Sequence, residues 1–135
     1  VGADVTAALA RVAAGDAPRP IRADEITVVQ LVTANVDNDP APDVLIAAQV
    51  PLPDDQGPGF VWSALVLVPG GRYEAARSVW HSDLEHMTIR ATVELDGDGK
   101  RDLVYDAAYY EGGGSGAATI TGGTLEMLGQ WGCGA

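Results

Sequence analysis

From residue 26 onward, apolar and polar positions fall into short runs separated by glycine, proline and acidic clusters, the pattern of strands and turns. Residues 26–34, 43–50, 60–68 and 73–80 read as four strands, and 88–94, 102–110, 117–121 and 124–131 as four more. Gly70-Gly71 and Gly122-Gly123 stand between the third and fourth runs of each set. A glycine pair supplies the positive φ that a two-residue hairpin needs. The run from Gly112 to Gly116, broken only by Ser115, reads as a flexible turn. Ahead of the strands, residues 4–14 read as one helix: Val5, Leu9 and Val12 share a face, Asp4 is placed to cap it and Gly15 to end it. Pro18 and Pro20 bar its continuation.

The expected fold is therefore mainly β. Two four-stranded antiparallel repeats, 26–80 and 88–135, pack as a sandwich or propeller-blade-like body within a single domain spanning 1–135. A helical arm, 1–20, covers an edge or end. Two such units cannot close a propeller, which takes about four to eight blades. The alternative is an oligomer that completes a larger ring or barrel. Each repeat has only about 50 residues, a size at which burial is marginal, so the two are expected to share a core.

Charge narrows the partners. Nineteen acidic residues against eight basic ones give a net charge of −11. Phosphate backbones demand clustered Lys and Arg, which excludes nucleic acid. No apolar run reaches the ~20 residues of a membrane helix. A protein or glycan partner is left. The one cysteine, Cys133, excludes an internal disulfide. The chain begins at Val1, from which removal of upstream residues is expected.

Two segments carry candidate chemistry. One runs Glu94-Leu95-Asp96-Gly97-Asp98-Gly99-Lys100-Arg101-Asp102, with acidic side chains at alternate positions and glycine at the bends. The other runs Asn35-Val36-Asp37-Asn38-Asp39-Pro40-Ala41-Pro42-Asp43, lying 59 positions earlier. Hard cations such as Ca²⁺ take six to eight oxygen ligands, and a short Asp-rich loop offers several from one segment. Clustered carboxylates repel one another unless a cation is present. The competing explanation is a pair of Asx-type turns without metal.

Asp96-Gly97-Asp98-Gly99 followed by Asp102-Leu103-Val104 resembles the calcium loops of FG-GAP and VCBS-type repeats, found in integrin-like propellers and many secreted bacterial proteins. The resemblance covers the two loops and their flanking strands. It implies ligands at loop positions 1, 3, 5 and 9 by side chain and 7 by backbone carbonyl. Those are Glu94, Asp96, Asp98 and Asp102 with the carbonyl of Lys100, and Asn35, Asp37, Asp39 and Asp43 with the carbonyl of Ala41. Position 1, usually Asp in the family, is Glu94 or Asn35 here. Asn38 and Pro40 replace the glycines in the first loop, where proline fixes φ and removes a donor. The second loop is thus the expected Ca²⁺ site; for the first, a metal site and a turn without metal both stand as readings.

The function implied is a non-catalytic, calcium-stabilised recognition or structural module, secreted, periplasmic or attached to the cell envelope. Two alternatives come from other classes. His81, Glu85 and His86 lie close enough in sequence for a small metal-dependent hydrolase, although two His five apart do not match the i,i+4 spacing of helical metal pairs. The acidic surface also suits an inhibitor or interaction protein for a basic partner.

Overall fold

The computed structural model describes residues 2–37, 40–94, 97, 100–109 and 112–131. Helix α1 (Ala3–Asp16) precedes eight strands: β1 (Thr27–Ala34), β2 (Asp43–Pro51), β3 (Phe60–Val68), β4 (Arg77–Ser82), β5 (His86–Val93), β6 (Asp102–Tyr109), β7 (Gly112–Thr121) and β8 (Thr124–Trp131). They form two antiparallel sheets, each a simple meander, ordered β1-β2-β3-β4 and β5-β6-β7-β8. Corresponding irregularities recur. In each sheet the ladder between third and fourth strands slips once, after Leu65 in the first and after Ala117 in the second, both five residues before a glycine pair.

The residues of β2 and β3 explain the layering. Both strands are apolar on both faces, so both faces must be covered. Leu45, Ala47, Leu65 and Leu67 point one way, with Val79, and meet Met87, Ile89, Leu103, Tyr105, Ala118 and Ile120 of the second sheet. Ile46, Ala48, Trp62, Ala64, Val66 and Val68 point the other way and meet Val5, Ala8, Leu9, Val12 and Ala13 of α1. The order of layers is helix, sheet, sheet. The helix packs on a face of the first sheet, and not over the edge or end that sequence led one to expect, because the alternate residues of two central strands form a broad apolar surface there.

Local chemistry moves several boundaries. Asp4 sits inside the first turn of α1, where a carboxylate suits the helix dipole. The cap is Gly2, whose carbonyl accepts from Val5 and Thr6 N–H at 3.1 and 3.2 Å. Gly15 does not end the helix; Ala17 does, its N–H bonding the Ala13 carbonyl ahead of Pro18. At the C-terminal end, Asp16 Oδ2 accepts from the Trp62 indole at 3.1 Å, and Arg11 donates to the Tyr73 and Ala76 carbonyls, both at 3.1 Å. The two glycine pairs differ. Gly122 and Gly123, at φ 60° and 80°, make the expected two-residue hairpin. Gly70 and Gly71 instead open a longer connection through the 3₁₀ turns Pro69–Gly71 and Tyr73–Ala75, so β4 starts only at Arg77.

The glycine run is the largest correction. Gly112 onward is not a flexible turn but the first half of β7, paired with β6 from Tyr109↔Gly112 to Leu103↔Ala118. Close approach demands two of these glycines. A Cβ on Gly113 would lie 2.7 Å from the Ala107 carbonyl, and one on Gly116 would lie 2.6 Å from Cζ of Tyr105. The Tyr105 ring lies across the bare strand and fills the space that side chains would otherwise take.

One amide joins the sheets at their edges. Gln30 of β1 donates from Nε2 to the Ile89 carbonyl and accepts at Oε1 from the Ile89 N–H, both at 2.7 Å. Ile89 adjoins the slip in the β5–β6 ladder, and β5 is an edge strand. Gln30 therefore supplies the pair of hydrogen bonds that a further strand would have given.

Candidate metal loops

The loops β1–β2 and β5–β6 stand at the same end of the sandwich. They touch directly: the Arg101 N–H donates to the Asn35 carbonyl at 2.8 Å. Asn35 is position 1 of the first loop, and Arg101 follows the carbonyl at position 7 of the second. Sequence spacing did not reveal this contact, because it depends on how the two sheets stack.

Asp43 and Asp102 open β2 and β6, and both are fully buried. Asp43 shows what such a carboxylate does. Its Oδ2 accepts from the Val36 N–H at 3.0 Å and its Oδ1 from the Gly70 N–H at 2.7 Å. One oxygen thus closes the acidic loop and the other pins the glycine turn beside it. A carboxylate has about four lone-pair sites, so these two bonds do not exhaust it.

Asn35 is half-buried, yet its Oδ1 is shielded from solvent and has no hydrogen-bond partner among the described residues. A shielded acceptor without a donor costs about 1–3 kcal/mol, and a cation is one way to satisfy it. Asp37 and Ala41 are half-buried and Glu94 is exposed. Asp39, Asp96 and Asp98 lie outside the described residues. Cationic side chains stand nearby. Lys100 Nζ donates to the Ile120 carbonyl at 2.7 Å, and Arg77 lies against Gly123. With Asp37, they line a depression of about 300 Å³ beside the Gly122-Gly123 hairpin.

The alternative histidine centre is not assembled. His81 Nε2 faces Asp16 Oδ1 at 3.9 Å, and the His86 ring packs edge-on against Phe60 with centroids 5.7 Å apart. Among the described residues no three His, Cys, Asp or Glu side chains gather as a metal group. The connector between β4 and β5 is a tight turn in which Ser82 Oγ accepts from the Leu84 and Glu85 N–H groups, both at 3.1 Å. Among the described residues no helix is long and apolar enough to cross a membrane.

No family model matches the chain, and neither a curated protein nor a solved structure matches it.

Proposed function

We propose that the protein is a non-catalytic, calcium-stabilised module for recognition or structural support outside the cytoplasm, with its two acidic loops as the metal sites. The observation that carries this reading is the shielded Asn35 Oδ1 at the point where the two loops meet. It lies where the resemblance to FG-GAP and VCBS-type loops puts the first ligand of the first site. The donor set is all oxygen, from carboxylates, an amide and backbone carbonyls, which suits a hard cation. Asn35, Asp37, Asp39, Asp43 and the Ala41 carbonyl would hold one ion. Glu94, Asp96, Asp98, Asp102 and the Lys100 carbonyl would hold the other. Bound calcium would neutralise the carboxylates and fix the loops; it would perform no reaction.

The extracytoplasmic setting follows from the calcium reading. Extracellular calcium modules bind at roughly 10⁻⁴–10⁻³ M, a range met outside cells. The second loop carries four carboxylates and two glycines, the first three carboxylates and a proline at its fourth-to-last place, so the second should fill first. Calorimetric titration with Ca²⁺ tests the assignment. Asp98→Ala should remove most of the heat of binding, and Asp39→Ala should leave the tighter phase intact. Heat unchanged in both variants would count against the loops as the sites.

A further inference from the structure

At the opposite end of the sandwich β6, β7 and β8 of the second sheet, with Glu85 of the β4–β5 connector, line an open cavity of about 360 Å³. Its lining includes Ala107, Gly113 and Gly114 on one side, the Tyr105 hydroxyl within, and Glu85, Gln130 and Trp131 at the rim. The cavity follows from sequence: β7 begins with glycines, which put no side chains into this space. Along β6, Ala107 lies five residues beyond Asp102, roughly 17 Å from it at ~3.4 Å per residue. The cavity is thus remote from the acidic loops.

The polar groups inside are unequal. Tyr105 Oη donates to Met127 Sδ at 3.0 Å and accepts from Gln130 Nε2 at 3.2 Å, so its hydrogen bonding is met within the protein. The Glu85 carboxylate has neither an ion pair nor a hydrogen bond among the described residues. Among the described residues no Lys or Arg lines the cavity. Trp131 is 54% exposed, and an indole face is the best side-chain surface for a cation. A net charge of −11 draws cations toward the whole molecule.

We propose that this slot binds a cationic side chain of a basic partner, an alkyl guanidinium or ammonium. Its aliphatic stem lies over Ala107 and the glycine strand, and its charge sits between the Glu85 carboxylate and the Trp131 indole. The chemistry is that of a long basic side chain, whose apolar stem and charged head need different surroundings. Guanidinium adds stacking on the indole, so arginine is favoured over lysine. The calcium reading is not needed for this proposal, because the loops lie at the other end.

The test is a titration in EDTA, followed by NMR at the Trp131 indole N–H, with the peptide acetyl-Gly-Arg-Gly-amide. The same peptide with citrulline in place of arginine is the neutral control. Saturable shifts at Trp131 with the arginine peptide, and none with citrulline, are expected. Glu85→Gln should weaken binding about tenfold or more, as loss of a charged partner does. Glu126→Gln removes the same charge from an exposed position on β8 outside the cavity, and should leave the affinity unchanged. Equal losses in the two variants would overturn the proposal, since the general acidic field would then explain the binding. So would equal binding of the citrulline peptide, or shifts at Trp131 with methyl glucoside but not with the arginine peptide.

Discussion

Replacing Asp43 with alanine separates the scaffolding role of an acidic-loop residue from any role in holding metal. The side chain is fully buried and accepts two backbone N–H groups, from Val36 at 3.0 Å and Gly70 at 2.7 Å. Val36 is itself fully buried, and Gly70 is half-buried. In Asp43→Ala both donors lose their acceptor. Hydrogen bonds to a charged group contribute about 1.5–3 kcal/mol each, and a stranded buried donor costs about 1–3 kcal/mol. Desolvation of the carboxylate, which disappears with it, offsets part of this. A net loss of roughly 2–4 kcal/mol is expected, a large share of the ~5–15 kcal/mol that stabilises a typical domain. Urea unfolding in EDTA, followed by fluorescence of the buried Trp62, measures it without metal. Asp43→Asn keeps one acceptor oxygen and should lose less. A loss below ~0.5 kcal/mol for Asp43→Ala in EDTA would refute the scaffolding argument.

Other expectations follow from single contacts. Gln30→Ala strips both hydrogen bonds from the Ile89 backbone and should cost about 1–3 kcal/mol in urea unfolding; Gln30→Glu, which keeps the acceptor but loses the donor, should not fully restore it. Gly116→Ala drives a methyl group into Tyr105 and the Gly129 carbonyl, and should cost about 1–3 kcal/mol or more while shifting the Tyr105 ring resonances. Because Leu45, Leu65 and Leu67 of the first sheet share one core with Leu103 and Tyr105 of the second, thermal unfolding should be one transition with equal calorimetric and van't Hoff enthalpies, and residues 1–80 expressed alone should not give native-like spectra.

Periodicity located most elements because the strands obey simple rules. Phe60–Val68 is an apolar run interrupted only by Ser63, and Thr124–Trp131 follows a glycine pair; both strands have the bounds expected from sequence. The apolar face of the helix, Val5, Leu9 and Val12, is likewise the buried one. The misreadings share a cause: residues whose local preference was overruled by a distant partner. Glycine favours turns, yet Gly112–Gly116 is held in a ladder by β6 and covered by Tyr105. Gly15 is a natural helix end, but α1 continues to Asp16, which bonds Trp62. At the loops, the acidic spacing was plain in the sequence. The contact between Arg101 and Asn35 was not, since it joins segments of two sheets. The anchoring of Gly70 by Asp43 spans 27 positions and was equally hidden, although an Asp opening the second strand and a glycine pair following the third recur in both repeats and could have suggested it.

Calcium dependence of stability is the central claim, and thermal unfolding of the intact chain in EDTA and in Ca²⁺ tests it most directly. A ligand bound only to the native state at 100 times its dissociation constant adds ~2.7 kcal/mol. For a dissociation constant near 10⁻⁴ M that condition is met at about 10 mM Ca²⁺. For a chain of this size the gain corresponds to a rise in Tm of roughly 5–15 °C. The account predicts a rise of that order, abolished by excess EDTA and much reduced in Asp98→Ala. Superimposable melts with and without calcium would contradict it.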